Sequence, residues 1–219
     1  MPFLDNVKSR VKGEGHKAKL KADLLLLDRN IVSRKKQLGV EIYDNLRDIT
    51  CQQDFYATTD ATISILRPEL LAIDREIRAF DNRKMIAKGN LDLAMAVRRE
   101  AFPNAAVNWK EKAANASKSA KMAANETKIK AELKVIATQT NGLKESFGLK
   151  IYPILEQHFG SSTDPIPVHC STDEVTNKIR ECFKQCKDDI ININRSKVAK
   201  ESRINQIDVD ISLRSMGTN

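Results

Sequence analysis

Apolar residues recur along this chain at alternating steps of three and four, and four long stretches carry the pattern. The first places Leu20, Leu24, Leu27, Ile31, Leu38, Ile42, Leu46 and Ile49 on one face. The second is the most regular, with Ile63, Leu66, Leu70, Ile73, Ile77, Phe80, Lys84, Ala87, Leu91, Ala94 and Arg98 in register. The third runs through Ile129, Leu133, Ile136, Leu143, Phe147 and Ile151. The fourth runs through Val175, Ile179, Cys182, Cys186, Ile193, Ile204 and Ile207. Such spacing turns one side of an α-helix toward a core, and a period near 3.5 favours left-handed supercoiled packing.

Breaks in the pattern set the expected element boundaries. Gly13 and Gly15 are expected to separate a short amphipathic segment, residues 1–14, from the first long helix. Pro68 and Pro153 should each kink or bound a helix. Turn residues cluster at Thr58-Thr59-Asp60, at Phe102-Pro103-Asn104 and between Gly160 and Val168. Ser171-Thr172-Asp173-Glu174 reads as a capping box for the fourth helix.

Two halves of the chain match at an offset of 109 residues. Lys19-Leu20-Lys21-Ala22-Asp23-Leu24 falls on Lys128-Ile129-Lys130-Ala131-Glu132-Leu133, and nine of 28 aligned positions are identical. Helical period alone would pair Leu with Ile. It would not reproduce Gly39, Ile42 and Tyr43 as Gly148, Ile151 and Tyr152. The expected fold is therefore all-α, an elongated antiparallel four-helix bundle or coiled coil built from two duplicated hairpins, residues 15–102 and 103–219. Mid-helix glycine costs about 1 kcal/mol relative to alanine, so Gly39 and Gly148 are expected where the repeats cross closely, with the tyrosines covering the gap.

Composition narrows the class without naming a role. Of 219 residues 41% are hydrophobic, with 8 Gly and 6 Pro, which excludes collagenous and disordered chains. The longest aliphatic run, Leu24 to Leu27, is far short of the ~20 residues that span a bilayer. No secretion signal opens the chain and its four cysteines lack a framework spacing, so the expected location is cytoplasmic, free or peripheral to a membrane. Cys182 and Cys186 stand where the first repeat has Ile73 and Ile77, so they are expected as packed thiols rather than metal ligands. No nucleophile elbow, phosphate-binding loop or paired-carboxylate cleft is present, and His16, His158 and His169 form no constellation. Neither enzyme activity, cofactor nor metal is expected.

Charge is unevenly placed. The net +8 comes from residues 1–21, with Lys8, Arg10, Lys12, Lys17, Lys19 and Lys21, and from residues 103–130, with Lys110, Lys112, Lys118, Lys121, Lys128 and Lys130. These are the leading segments of the two repeats. In an up-down-up-down bundle the first and third helices run parallel, so both segments would emerge at one basic end. Phe3, Leu4, Val7 and Val11 gather on one side of the N-terminal segment beside Lys8, Arg10 and Lys12, the make-up of a helix lying in a membrane interface. Ala113, Ala116, Ala120 and Ala123 continue the seam from Trp109 and would suit close packing against a partner helix or a second copy.

The function these features imply is a non-enzymatic scaffold or adaptor that docks on an anionic membrane surface and self-associates or binds partner helices. In size, amphipathic N-terminal segment and long basic helices the chain broadly resembles membrane-shaping BAR domains, by architecture alone. A protein–protein adaptor without membrane contact is the alternative. Non-specific nucleic-acid binding is a third, weakened because Trp109 stands alone among the lysines as a stacking residue.

Overall fold

The structure, a computed structural model, describes residues 2–50, 61–101, 109–160 and 174–216. Four helices account for them: α1 (Pro2–Thr50), α2 (Ala61–Ala101), α3 (Trp109–Phe159) and α4 (Glu174–Met216). At ~1.5 Å per residue, α1 and α3 are each about 75 Å long. Side chains are described for residues 11–47, 61–100, 116–160 and 175–213. The capping-box residues 171–173, Cys51, His169 and Cys170 lie outside the described residues.

The expected break at Gly13 and Gly15 does not occur, and neither proline bounds a helix. α1 continues through Gly13 and Gly15, so the amphipathic N-terminal segment is the first part of the long helix. Gly13 lies beside Ile207 and Ile211 of α4, and packing on that helix offsets the propensity cost. α2 and α3 likewise run through Pro68 and Pro153, both on exposed faces.

Helix pairing differs from two side-by-side hairpins. Lys17 pairs with Asp208, Asp23 with Lys200 at 2.7 Å, Asp28 with Lys197 at 2.5 Å and Arg34 with Asp189 at 2.7 Å. Numbers rise along α1 as they fall along α4, so these two helices are antiparallel partners. In α2 and α3, Thr62 lies against His158, Glu69 pairs with Lys150 at 3.4 Å and Arg98 pairs with Glu126 at 3.2 Å. The first helix of each half of the chain therefore takes its long partner from the other half. Apolar periodicity says which face is buried, not which helix covers it, and this is why the pattern did not predict the exchange.

The two helix pairs meet where α1 crosses α3. Gly39 and Gly148 lie backbone to backbone: a Cβ on Gly148 would stand 2.9 Å from the Gly39 Cα. The contacts on either side come in matched sets. The Lys35 ammonium sits 4.0 Å from the Tyr152 ring centroid, and the Lys144 ammonium sits 5.3 Å from that of Tyr43. Around this crossing lies one continuous core drawn from all four helices. It holds Leu38, Ile42 and Leu46 of α1, Leu66, Leu70 and Ile77 of α2, Ile151 and Leu155 of α3, and Ile179 and Cys186 of α4. Beyond it the molecule thins to two-helix arms, in which Leu20 faces α4 while Leu25 and Leu26 are exposed.

Candidate functional site

Each arm carries one of the basic segments. Arm 1 comprises the first half of α1 and the second half of α4; arm 2 comprises the second half of α2 and the first half of α3. Residues 2–30 with 195–216 hold twelve Lys and Arg against seven Asp and Glu, a net +5. Residues 83–101 with 109–135 hold twelve against five, a net +7. The described residues between the arms hold thirteen against thirteen, a net charge of zero. The two basic segments lie on different two-helix arms, because α1 and α3 touch around their glycines and are then covered by different partners.

The lysines divide by role. Lys12, Lys19 and Lys21 are exposed on arm 1, and Lys121, Lys128 and Lys130 are exposed on arm 2. These two triads occupy positions 109 apart, so each arm displays the same three cations. Lys118 is also exposed. Lys17 is different: it is half-buried and bonded to Asp208, and that hydrogen bond raises its pKa above the ordinary lysine value. Its place is in the seam between helices rather than on an anion-binding face. Lys110 and Lys112, like Phe3, Leu4, Val7, Lys8 and Arg10, have side chains outside the described residues, although their backbone lies in α3 or α1.

Val11 is strongly exposed, as are Leu25 and Leu26 farther along α1. The 3-4 spacing took Leu24 and Leu27 into the seam and assigned no place to the two leucines between them. On a helix, four successive residues point in four directions, and a single seam covers only part of them. Val11, Gly15, Ala18, Ala22 and Leu25 repeat at steps of four and three on the face of α1 left open by α4. Of the alanine row of α3, Ala116 and Ala120 are exposed and Ala123 is partly buried, while the side chain of Ala113 lies outside the described residues; the face toward α2 passes through Met122, Ala123, Glu126, Ile129 and Leu133.

Where the arms part, Asp28, Val32, Lys36, Asn141 and Glu145 line an open cleft of about 700 Å³. Its charges are largely committed, Lys36 to Glu145 at 3.3 Å and Asp28 to Lys197. Gly39, Ile42, Tyr43, Gly148, Ile151 and Tyr152 all belong to the crossing and are buried. The Tyr43 hydroxyl donates to Asp74 across 3.4 Å. Cys186 is fully buried and Cys182 half-buried; desolvation pushes the Cys186 thiol up to about 11. Among the described residues no cluster of His, Cys, Asp or Glu could hold a metal ion, and no helix is long and apolar enough to cross a membrane. No known protein family, curated protein or solved structure matches the chain.

Proposed function

We propose that this protein is a duplicated, non-enzymatic coiled-coil scaffold that docks peripherally on anionic membrane surfaces through its two basic arms. The observation that carries this reading is the repeated lysine triad, Lys12, Lys19 and Lys21 on one arm and Lys121, Lys128 and Lys130 on the other, all exposed. Two like-charged arms joined by a neutral crossing suit an extended anionic surface better than a single compact anion. Each basic residue near such a surface contributes roughly 1 kcal/mol, so six acting together give useful affinity where one gives none. On arm 1 the exposed Val11, Leu25 and Leu26 lie on the same helix as the lysines and add apolar contact at the headgroup boundary.

The test is sedimentation with vesicles containing phosphatidylserine against vesicles of phosphatidylcholine alone. Wild type is expected to pellet with the former, and replacing either triad by glutamine should weaken pelleting and its salt dependence together. Binding to neutral vesicles as strong as to anionic ones, or triad variants that pellet like wild type, would discard the proposal. Tight salt-dependent binding to duplex DNA with vesicles left in solution would transfer the lysines to the nucleic-acid reading.

A second reading, a protein–protein adaptor without membrane contact, draws on one feature. Met85, Leu93 and Val97 form an exposed row along α2, with Gly89 open to solvent between them. It predicts self-association or partner capture that Leu93→Lys abolishes, with anionic vesicles unbound.

A further inference from the structure

The two arms are equivalent by position but not by charge. Lys17 of α1 corresponds to Glu126 of α3, 109 residues on, and Asp208 of α4 corresponds to Arg99 of α2, beside Arg98. The ion pair Lys17–Asp208 of arm 1 is therefore matched in arm 2 by the pair Glu126–Arg98, with its polarity reversed. A second position differs in kind. Arg34, whose side chain is only 11% exposed, pairs with Asp189 in α4. The corresponding residues of α3 and α2 are Leu143 and Phe80, both partly buried.

We propose that these mismatches select the observed pairing, α1 with α4 and α3 with α2, against the two simple hairpins that the same seams would otherwise allow. The competitor is geometrically accessible. Moving the α4 register back by 109 residues sets Thr50 opposite about residue 65, and ten residues, 51–60, are ample for such a turn. The apolar faces of α2 and α4 are alike, so burial alone discriminates weakly between them. Charge does discriminate. In the hairpins Lys17 would face Arg98 and Arg99, and Glu126 would face Asp208. Arg34 would exchange Asp189 for Phe80 and keep only Glu41 of its own helix, at 3.3 Å, and Asp189 would face Leu143. These contacts, attractive in the observed fold, become repulsive or unsatisfied in the alternative, while Asp28 against Lys88 and Glu132 against Lys200 would stay attractive; like charges placed face to face reject a partner more effectively than a good pair attracts one.

Disulfide trapping in the full chain tests this. Gly13→Cys with Ile211→Cys reports α1 beside α4, because a Cβ at Gly13 lies 3.2 Å from the Ile211 side chain. Gly13→Cys with Phe102→Cys reports α1 beside α2, residue 102 being 109 before 211 and next in sequence after the last residue of α2, Ala101. Crosslinked peptides are mapped by mass spectrometry to separate them from native cysteines. Wild type should give the 13–211 link and little 13–102. Recoding with Asp208→Arg, Arg98→Asp and Arg99→Asp should change the ratio of the two links by roughly tenfold or more toward 13–102. Adding Lys17→Glu and Glu126→Lys restores opposite signs across both observed pairs and should bring the 13–211 link back. A recoded chain that keeps the wild-type ratio would overturn the proposal. So would a recoded chain that loses helicity and does not regain it, with the 13–211 link, when the last two changes are added.

Discussion

Gly39 and Gly148 touch without side chains between them, and no other residue type fits at either position. A Cβ on Gly39 would meet the Gly148 amide nitrogen and the Lys144 carbonyl oxygen, both backbone atoms that cannot turn aside. Gly39→Ala or Gly148→Ala should force α1 and α3 apart and cost about 3 kcal/mol or more, at the upper end of overpacking effects. Gly142→Ala lies three turns or fewer away on α3, with nothing within 4 Å of the added atom. That change should stabilise by about 0.5–1 kcal/mol through helix propensity. Thermal melts of the three variants decide the matter, since the same chemical change must shift the midpoint in opposite directions.

Centre and arms should differ in stability. Leu66 and Ile151 are fully buried in the four-helix core, whereas Leu20 at 9% exposure is covered by one partner helix. Leu66→Ala is expected to cost about 2–5 kcal/mol and to lower the global midpoint. Leu20→Ala should cost less and act locally, loosening arm 1. Hydrogen exchange is the measurement: amides of residues 38–46 should exchange only on global unfolding, and those of residues 15–28 much sooner.

Alkali should weaken the centre first. Burial lifts the Cys186 thiol to about 11 and the Tyr152 phenol to about 12, and it also raises Tyr43, with Asp74 adding to the rise. In each case the folded chain holds its proton longer than the unfolded chain. The stabilisation is complete below the unfolded values, 9.0 for the thiol, and is lost as pH climbs through the folded ones. Melting temperature under reducing conditions should therefore fall between pH 9 and 11, and Cys186→Val should flatten the lower part of that decline. An unchanged slope in the variant would assign the alkaline loss to other groups.

Much of this fold can be read in the chain, and the part that cannot has a definite physical reason. The seam from Ile63 to Arg98 is buried or partly buried at every position, because a 3-4 spacing specifies a face whatever covers it. Gly39 and Gly148 stand out because glycine has no reason to sit in mid-helix unless something comes close. The exchange of partners was invisible to periodicity, since α2 and α4 present similar apolar rows; polar differences such as Lys17 against Glu126, Asp208 against Arg99 and Asp189 against Phe80 distinguish them. The candidate site was partly legible for a related reason. A count of lysines finds both basic segments, but it cannot separate Lys17, bonded to Asp208, from the open Lys12, Lys19 and Lys21.

Salt should act on the arms more than on the centre. Asp23 is held below the usual carboxylate range by its hydrogen bond to Lys200, and Lys197 is raised by its hydrogen bond to Asp28. These pairs are open to water and are screened within about 8–10 Å at ordinary ionic strength. Raising salt should speed exchange of arm amides while leaving residues 38–46 protected. Equal effects on both regions would show that the arms owe little to their ion pairs.

The thinness of the arms has a mechanical corollary. From Leu38 back to Val11 is about 40 Å of two-helix rod, so a sideways push at its far end acts on the glycine contact as on the pivot of a long lever. With no side chains at that pivot to interlock, resistance to twisting falls to the ring of residues around it, Lys35 on Tyr152 and Lys144 on Tyr43 foremost. A tip caught on a surface would thus transmit its torque to those two tyrosines.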